Sequence, residues 1–237
     1  LGRKIKTFGR IQEWGLDLSD EDFRDCRSYS EAVSLLFSKW STTESKPRWG
    51  DKTPHYVRHI STLIDIFPNA QILHIIRDPR AVSRSWSNHP LGAGNVYSAA
   101  MQWRKNVIAG RNSGAKLAPS SYMEIRYEQL LKHPKETMES VFGFLGESLP
   151  SCHETLESPA SIVVSPAPHP SESVVLKLRA KAWREELTAN EIKLIESVTA
   201  DLMLELEYEP SGPIKPSPKI RPIIWKTETV LLHYVRM

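Results

Sequence analysis

The stretch Gln71 to Trp86, QILHIIRDPRAVSRSW, decides how the rest of the chain is read. Ile72, Leu73, Ile75 and Ile76 form an apolar run of strand length, and Arg77 and Asp78 close it. Pro79 follows where the first residue of a helix tolerates proline best, and Asp78 before it is a natural N-cap. The stretch therefore predicts a buried strand, a tight turn and a helix start. In open parallel sheets, ligands bind at such junctions. A helix N-terminus offers unpaired backbone N–H groups and a partial positive charge, which suit a phosphate. Arg77 stands at the strand end, and Ser85 lies eight residues later in the second turn of the helix. Together they could present a planar fork and a hydroxyl to one anion. The alternative is that Arg77 forms a local salt bridge with Asp78 and that Ser85 is ordinary helix surface.

Outward from this stretch, helical and strand patterns alternate. Leu1 to Asp25 has no clean period. Ser30 to Trp40 predicts a helix through Ala32, Leu35, Leu36 and Trp40. A polar loop, Ser41 to Lys46, leads to Arg48-Trp49-Gly50-Asp51-Lys52-Thr53-Pro54, where Pro54 opens the next element. His55 to Phe67 predicts one amphipathic helix with Val57, Ile60, Ile64 and Phe67 on its face. After the loop Asn88 to Asn95, Val96 to Arg111 is helical, with Tyr97, Ala100, Trp103, Val107 and Ile108 on one side. Ser120 to Tyr127 predicts a second strand. His133-Pro134 opens a helix carrying Met138, Val141, Phe142 and Leu145, closed by Gly146. Ser158 to Ser173 is a long Pro/Ser-rich loop. Thr188-Ala189-Asn190-Glu191 is a capping box before a helix with Ile192, Ile195, Val198, Leu202 and Leu206. The order predicts an α/β fold with helical crossovers over residues 1–209. Residues 210–237 form a Pro-rich tail with a short apolar segment, Ile223 to Val235.

Composition narrows the class. A chain of 237 residues with 40% hydrophobic and 25% charged content can bury one sizeable core, so one domain is the default. No apolar stretch approaches the roughly 20 residues of a membrane span. A net charge of +3 is too small to indicate nucleic acid as a partner and is compatible with anionic ligands. Cys26 and Cys152 lack metal-ligand spacing, and two reduced thiols fit better than one bridge. No signal peptide is visible, and because the chain begins at Leu1, an N-terminal piece is expected to be missing.

Four motifs, taken in order, resemble the sulfotransferases that use 3′-phosphoadenosine 5′-phosphosulfate (PAPS), especially their bacterial and Golgi-type branches. They are Trp49-Gly50-Asp51-Lys52-Thr53-Pro54; the phrase FPNAQILHIIRDPRAVSRSW; IRYEQLLKHP with a helix ending FLG; and a Lys/Arg-rich stretch ending in Trp183 before a final helix. The resemblance covers roughly Arg48 to Tyr208. It implies a three-layer, P-loop-type parallel sheet flanked by helices. It also implies that Arg77 and Ser85 hold the 3′-phosphate, that Tyr127 contacts the nucleotide and that Lys52 lies near the transferred sulfuryl group. A cation there would stabilise charge on the departing bridging oxygen. Lys177 and Arg179 fall near a basic segment over the 3′-phosphate, and Trp183 is expected to pack. Tyr127 and Lys52 also admit plainer readings, as a core tyrosine and a solvated loop lysine.

The family's first element is a strand followed by a Ser/Gly/Thr-rich loop for the 5′-phosphosulfate. No Gly-Thr-Thr or Gly-x-x-x-x-Gly-Lys string occurs in this chain, so that strand and loop are expected to be absent. The usual catalytic base is likewise expected to be absent, with Asp51 and His55 as weak substitutes. The implied reaction is in-line transfer of a sulfuryl group from PAPS to a hydroxyl or amine, without a metal. The acceptor would be a small molecule, a glycan or a peptide. The alternative is a noncatalytic or truncated nucleotide-binding relative; a nucleotide kinase is disfavoured because no Walker-type loop is present. The low cysteine count fits a bacterial cytoplasmic enzyme, with the Golgi lumen as the alternative if an anchor is missing.

Overall fold

The computed structural model of the chain describes residues 11, 14–148 and 182–213. The chain divides into two compact units, Leu1–Ile72 with Ser113–Tyr122, and Leu73–Asn112 with Met123–Met237.

In the first unit a single 3-10 turn, Glu21–Phe23, precedes helix α1 (Tyr29–Thr43). Ser28 caps α1: its hydroxyl accepts from the Glu31 N–H at 3.2 Å, while the Glu31 carboxylate accepts from the Arg27 N–H at 2.6 Å. The first bond occupies one of the N–H groups that a helix start leaves without partners, and the second ties down the residue before the cap. Ala32 and Leu36 are the buried face of α1. Beside them runs a chain of half-buried rings: Trp14 meets Phe37 and Trp40, Phe37 stacks on Trp49 at 4.6 Å, and Trp49 meets Phe67 edge-on at 5.9 Å.

The helix expected over His55 to Phe67 is broken in two. Pro54–Arg58 is a 3-10 turn, His59 leaves helical geometry at φ −127° and ψ 18°, and α2 follows over Ile60–Ile66. The His59 N–H closes the tight turn on the Tyr56 carbonyl at 2.8 Å, whereas the His59 carbonyl starts α2 by accepting from Leu63 at 2.9 Å. Runs of 3-10 helix seldom exceed one turn because their side chains eclipse, so the segment restarts rather than continues.

Strand β1 (Ile72–Ile76) pairs with β2 (Tyr122–Arg126). At the entry ends the Ile72 N–H donates to the Ser121 carbonyl at 2.9 Å; at the exit ends the Asp78 N–H donates to the Glu128 carboxylate at 3.0 Å. Both strands therefore run the same way, and the crossover between them carries α3 (Pro79–Ser87) and α4 (Val96–Gly114). The second strand ends one residue earlier than expected. Tyr127 opens helix α5 (Tyr127–Lys132), with Glu128 in the first turn, where a carboxylate suits the helix dipole. Helix α6 (Pro134–Leu145) ends at Gly146, whose φ of 70° is the left-handed geometry that glycine adopts without strain. Helices α7 (Trp183–Glu186) and α8 (Ala189–Glu205) complete the described fold, and α8 starts with the expected capping box at Thr188 and Glu191.

The core of the second unit follows from these faces. Ile76, Trp103, Val107, Leu202, Met203, Leu206 and Tyr208 form one cluster, and Ala81, Ala100, Trp183, Leu187, Ile195 and Val198 form another. The apolar faces read for α4 and α8 point into them. Strand β1 is less enclosed than its sequence suggests: Ile76 is buried, but Ile75 is 56% exposed.

Candidate functional site: the turn after strand β1

The turn from β1 into α3 is held by side chains from distant parts of the second unit. Asp78 caps α3, accepting from the Arg80 N–H at 2.8 Å. Its carboxylate also takes a two-pronged contact from Arg80, Nε to Oδ1 at 2.9 Å and Nη2 to Oδ2 at 2.7 Å. Asp78 thus pairs with Arg80, two residues on, and not with Arg77 as the local salt-bridge alternative has it.

Arg80 is 4% exposed. Its Nη1 donates to Glu196 Oε1 at 2.7 Å and to the Glu209 carbonyl at 3.0 Å. Its guanidinium lies 4.0 Å from the centre of the Trp183 ring. Burial works against the charge, but hydrogen bonds and attraction from Asp78 and then Glu196 outweigh it and raise the Arg80 pKa above the ordinary guanidinium value. Glu196, also 4% exposed, accepts from the Ser211 N–H at 2.9 Å. The buried ion pairs are therefore hydrogen-bonded on several sides, the condition under which such pairs persist. Trp183 packs in the core as expected and also forms the floor under Arg80.

Arg77 and Tyr127 are brought together: the guanidinium lies 4.7 Å from the ring centre. Such a stack is the arrangement that arginine makes and lysine makes less well. The Arg77 carbonyl accepts from the Trp103 indole N–H at 2.9 Å. Beyond the turn, Glu128 Oε2 accepts from the Tyr208 hydroxyl at 2.9 Å. Burial, with the Glu128 charge beside it, pushes the Tyr208 hydroxyl well above the ordinary phenolic value, so it remains a donor.

The other two residues singled out in the sequence are Ser85 and Lys52. Ser85 is on the exposed side of α3, whereas Ala81 and Ser83 face inward. Lys52 is exposed and belongs to the first unit, in the segment between α1 and the 3-10 turn. Its neighbour Asp51 is engaged locally: the Thr53 hydroxyl donates to it at 3.3 Å, and a hydrogen bond from Tyr56 to Asp51 is the main reason the Tyr56 pKa is raised. His55 is exposed in the turn that follows. Lys177, Arg179, Cys152 and the loop Ser158 to Ser173 lie outside the described residues.

Four residues of this site were not singled out in the sequence: Arg80, Glu128, Glu196 and Tyr208. Glu196 left a signal, because it occupies the apolar face of α8 beside Ile195 and Thr199. A charge written into an apolar stripe implies a buried partner. Among the described residues, no group of three or more His, Cys, Asp or Glu side chains could hold a metal ion. No described helix is long and apolar enough to cross a membrane.

Comparison with known proteins gives the family and the fold. A protein-tyrosine sulfotransferase of Drosophila melanogaster is 23% identical over 179 residues, which is 70% of this chain and 36% of that protein. Protein-tyrosine sulfotransferase 2 of Gallus gallus is 23% identical over 172 residues, 68% of this chain and 46% of that protein. The chain thus spans between about a third and a half of these relatives. Among solved structures, the sulfotransferase domain from the curacin biosynthetic pathway superposes with a TM-score of 0.55 at 21% identity, covering 76% of this chain and 68% of that one. That likeness concerns the fold, which is α/β as the sequence predicts. The sequence model described as the sulfotransferase family matches residues 9–151, more than half of the chain, and the chain belongs to that family.

Proposed function

We propose that the protein takes part in sulfuryl transfer from PAPS to a hydroxyl or amine acceptor, with the turn after β1 holding the nucleotide. The observation that carries this reading is the Arg77 guanidinium lying over the Tyr127 ring at the carboxyl ends of two parallel strands. A fixed, permanently charged fork at that position suits a phosphate dianion. Ser85 adds a hydroxyl from the exposed side of α3.

In the reaction, the acceptor oxygen or nitrogen forms a bond to sulfur as the bond from sulfur to the bridging oxygen breaks. The acceptor gives up its proton to solvent, and adenosine 3′,5′-bisphosphate leaves with the electron pair of the broken bond. As in phosphoryl transfer, positioning and charge stabilisation supply most of the acceleration. Lys52 is assigned to the charge that develops on the bridging oxygen, a role in which a cation stabilises the transition state more than the ground state. The Asp51 carboxylate beside Lys52 already accepts from Thr53 and Tyr56. The relatives named protein-tyrosine sulfotransferases make the phenolic hydroxyl of a peptide the first acceptor to try.

The test is incubation with sulfur-labelled PAPS and a panel of tyrosyl peptides, glycans and small phenols or amines. Labelled product that falls at least tenfold with Arg77→Ala supports the reading. Nucleotide binding without transfer to any acceptor would instead favour a noncatalytic relative.

A further inference from the structure

The peptide unit joining Arg77 to Asp78 is gripped on both sides by side chains. Its oxygen, the Arg77 carbonyl, accepts from the Trp103 indole at 2.9 Å. Its N–H, that of Asp78, donates to Glu128 Oε1 at 3.0 Å. This peptide lies past the last residue of β1 and before the first of α3, where neither the strand ladder nor the helix supplies partners. Water could satisfy such groups without fixing their direction. Here a buried indole from α4 and a carboxylate from α5 do so instead. Pinning both ends of the peptide dipole stops it from turning, which fixes ψ of Arg77 and φ of Asp78, and with them the direction in which the Arg77 side chain leaves the backbone.

The same first turn of α5 contributes twice, with Tyr127 beneath the guanidinium and Glu128 on the peptide. Both oxygens of Glu128 are engaged, one by the Asp78 N–H and the other by the Tyr208 hydroxyl. A carboxylate so occupied serves orientation better than proton transfer.

We infer that Glu128 and Trp103 are positioning residues for Arg77, pre-aiming its guanidinium at an anionic phosphate by clamping the Arg77–Asp78 peptide. The inference rests on the reading that Arg77 binds the nucleotide. Preorganisation of this kind lowers the ordering cost of binding.

A double-mutant cycle tests it, with adenosine 3′,5′-bisphosphate titrated calorimetrically into the chain. Glu128→Ala should weaken binding about tenfold, and Trp103→Phe, which removes the indole donor while keeping an aromatic ring in the core, about threefold. Glu128→Gln, which keeps an acceptor for the Asp78 N–H, should recover most of the loss. In an Arg77→Lys background the Glu128→Ala loss should shrink to about twofold or less, because there is no fork left to aim. Equal losses in both backgrounds would mean that Glu128 only supports the fold and would overturn the inference. If Glu128→Ala does not fold by circular dichroism, Trp103→Phe with Arg77→Lys gives the same cycle. Absence of binding by the parent chain overturns the nucleotide reading and the inference with it. Binding that is sensitive to Arg77→Lys but additive with the other changes overturns the inference alone.

Discussion

Two short segments carry the residues of greatest chemical interest, and they are held in opposite ways. The turn Arg77 to Arg80 is bonded by side chains far along the chain: Trp103, Glu128 and Glu196 all reach it. The segment Trp49 to Thr53 is held by neighbours and by ring contacts: Thr53 and Tyr56 on Asp51, and Phe37 against Trp49. The first is largely buried, whereas Asp51 and Lys52 are exposed. A segment with few buried polar contacts opens at lower free energy than one tied into a core network. The Arg77–Asp78 peptide is therefore held by contacts distant in sequence, while Asp51, beside Lys52, is held by contacts close to it.

Breaking the first arrangement should cost most. Arg80→Ala leaves the Asp78 and Glu196 carboxylates buried without their cation, which is expected to lower unfolding free energy by about 3–5 kcal/mol. Urea unfolding followed by circular dichroism measures it, and a loss under about 1 kcal/mol would show that the turn does not depend on this network. Tyr208→Phe removes one hydrogen bond to a charged group and is expected to cost about 1.5–3 kcal/mol in the same experiment.

The smallest effect lies in the first unit and is one of pH. A hydrogen bond from Lys39, followed by those from Ser19, holds the Asp22 carboxyl down at about 2, against an ordinary value of 3.8. Because the folded value is the lower one, this group stabilises the fold above pH 3.8, and the gain is lost as pH falls toward 2. Asp22→Asn should flatten that part of the acid unfolding curve only slightly, since the pair is partly exposed. A large change there would mean that the first unit, too, is held by a strong ionic contact.

Much of the local structure was legible in the sequence because it depends on neighbours. Asp78 and Pro79 predicted the start of α3, Thr188 and Glu191 that of α8, and Gly146 the end of α6. Two boundaries were not legible. The restart at His59 and the early end of β2 at Arg126 follow from tight-turn geometry and from Glu128 reaching back to Asp78, and neither leaves a periodic trace. The buried ion network was the least legible. Arg80 and Glu196 are 116 residues apart, and only the fold brings them together. Of the candidate site, the structure joins Arg77 to Tyr127, while Ser85 and Lys52 keep their roles as proposals.

Calorimetric titration with adenosine 3′,5′-bisphosphate tests whether Arg77 is the phosphate-binding fork. Saturable 1:1 binding is expected, weakened about a hundredfold by Arg77→Ala, as for loss of a two-pronged charged contact of about 3 kcal/mol. Affinity unchanged by Arg77→Ala in a folded protein would contradict it.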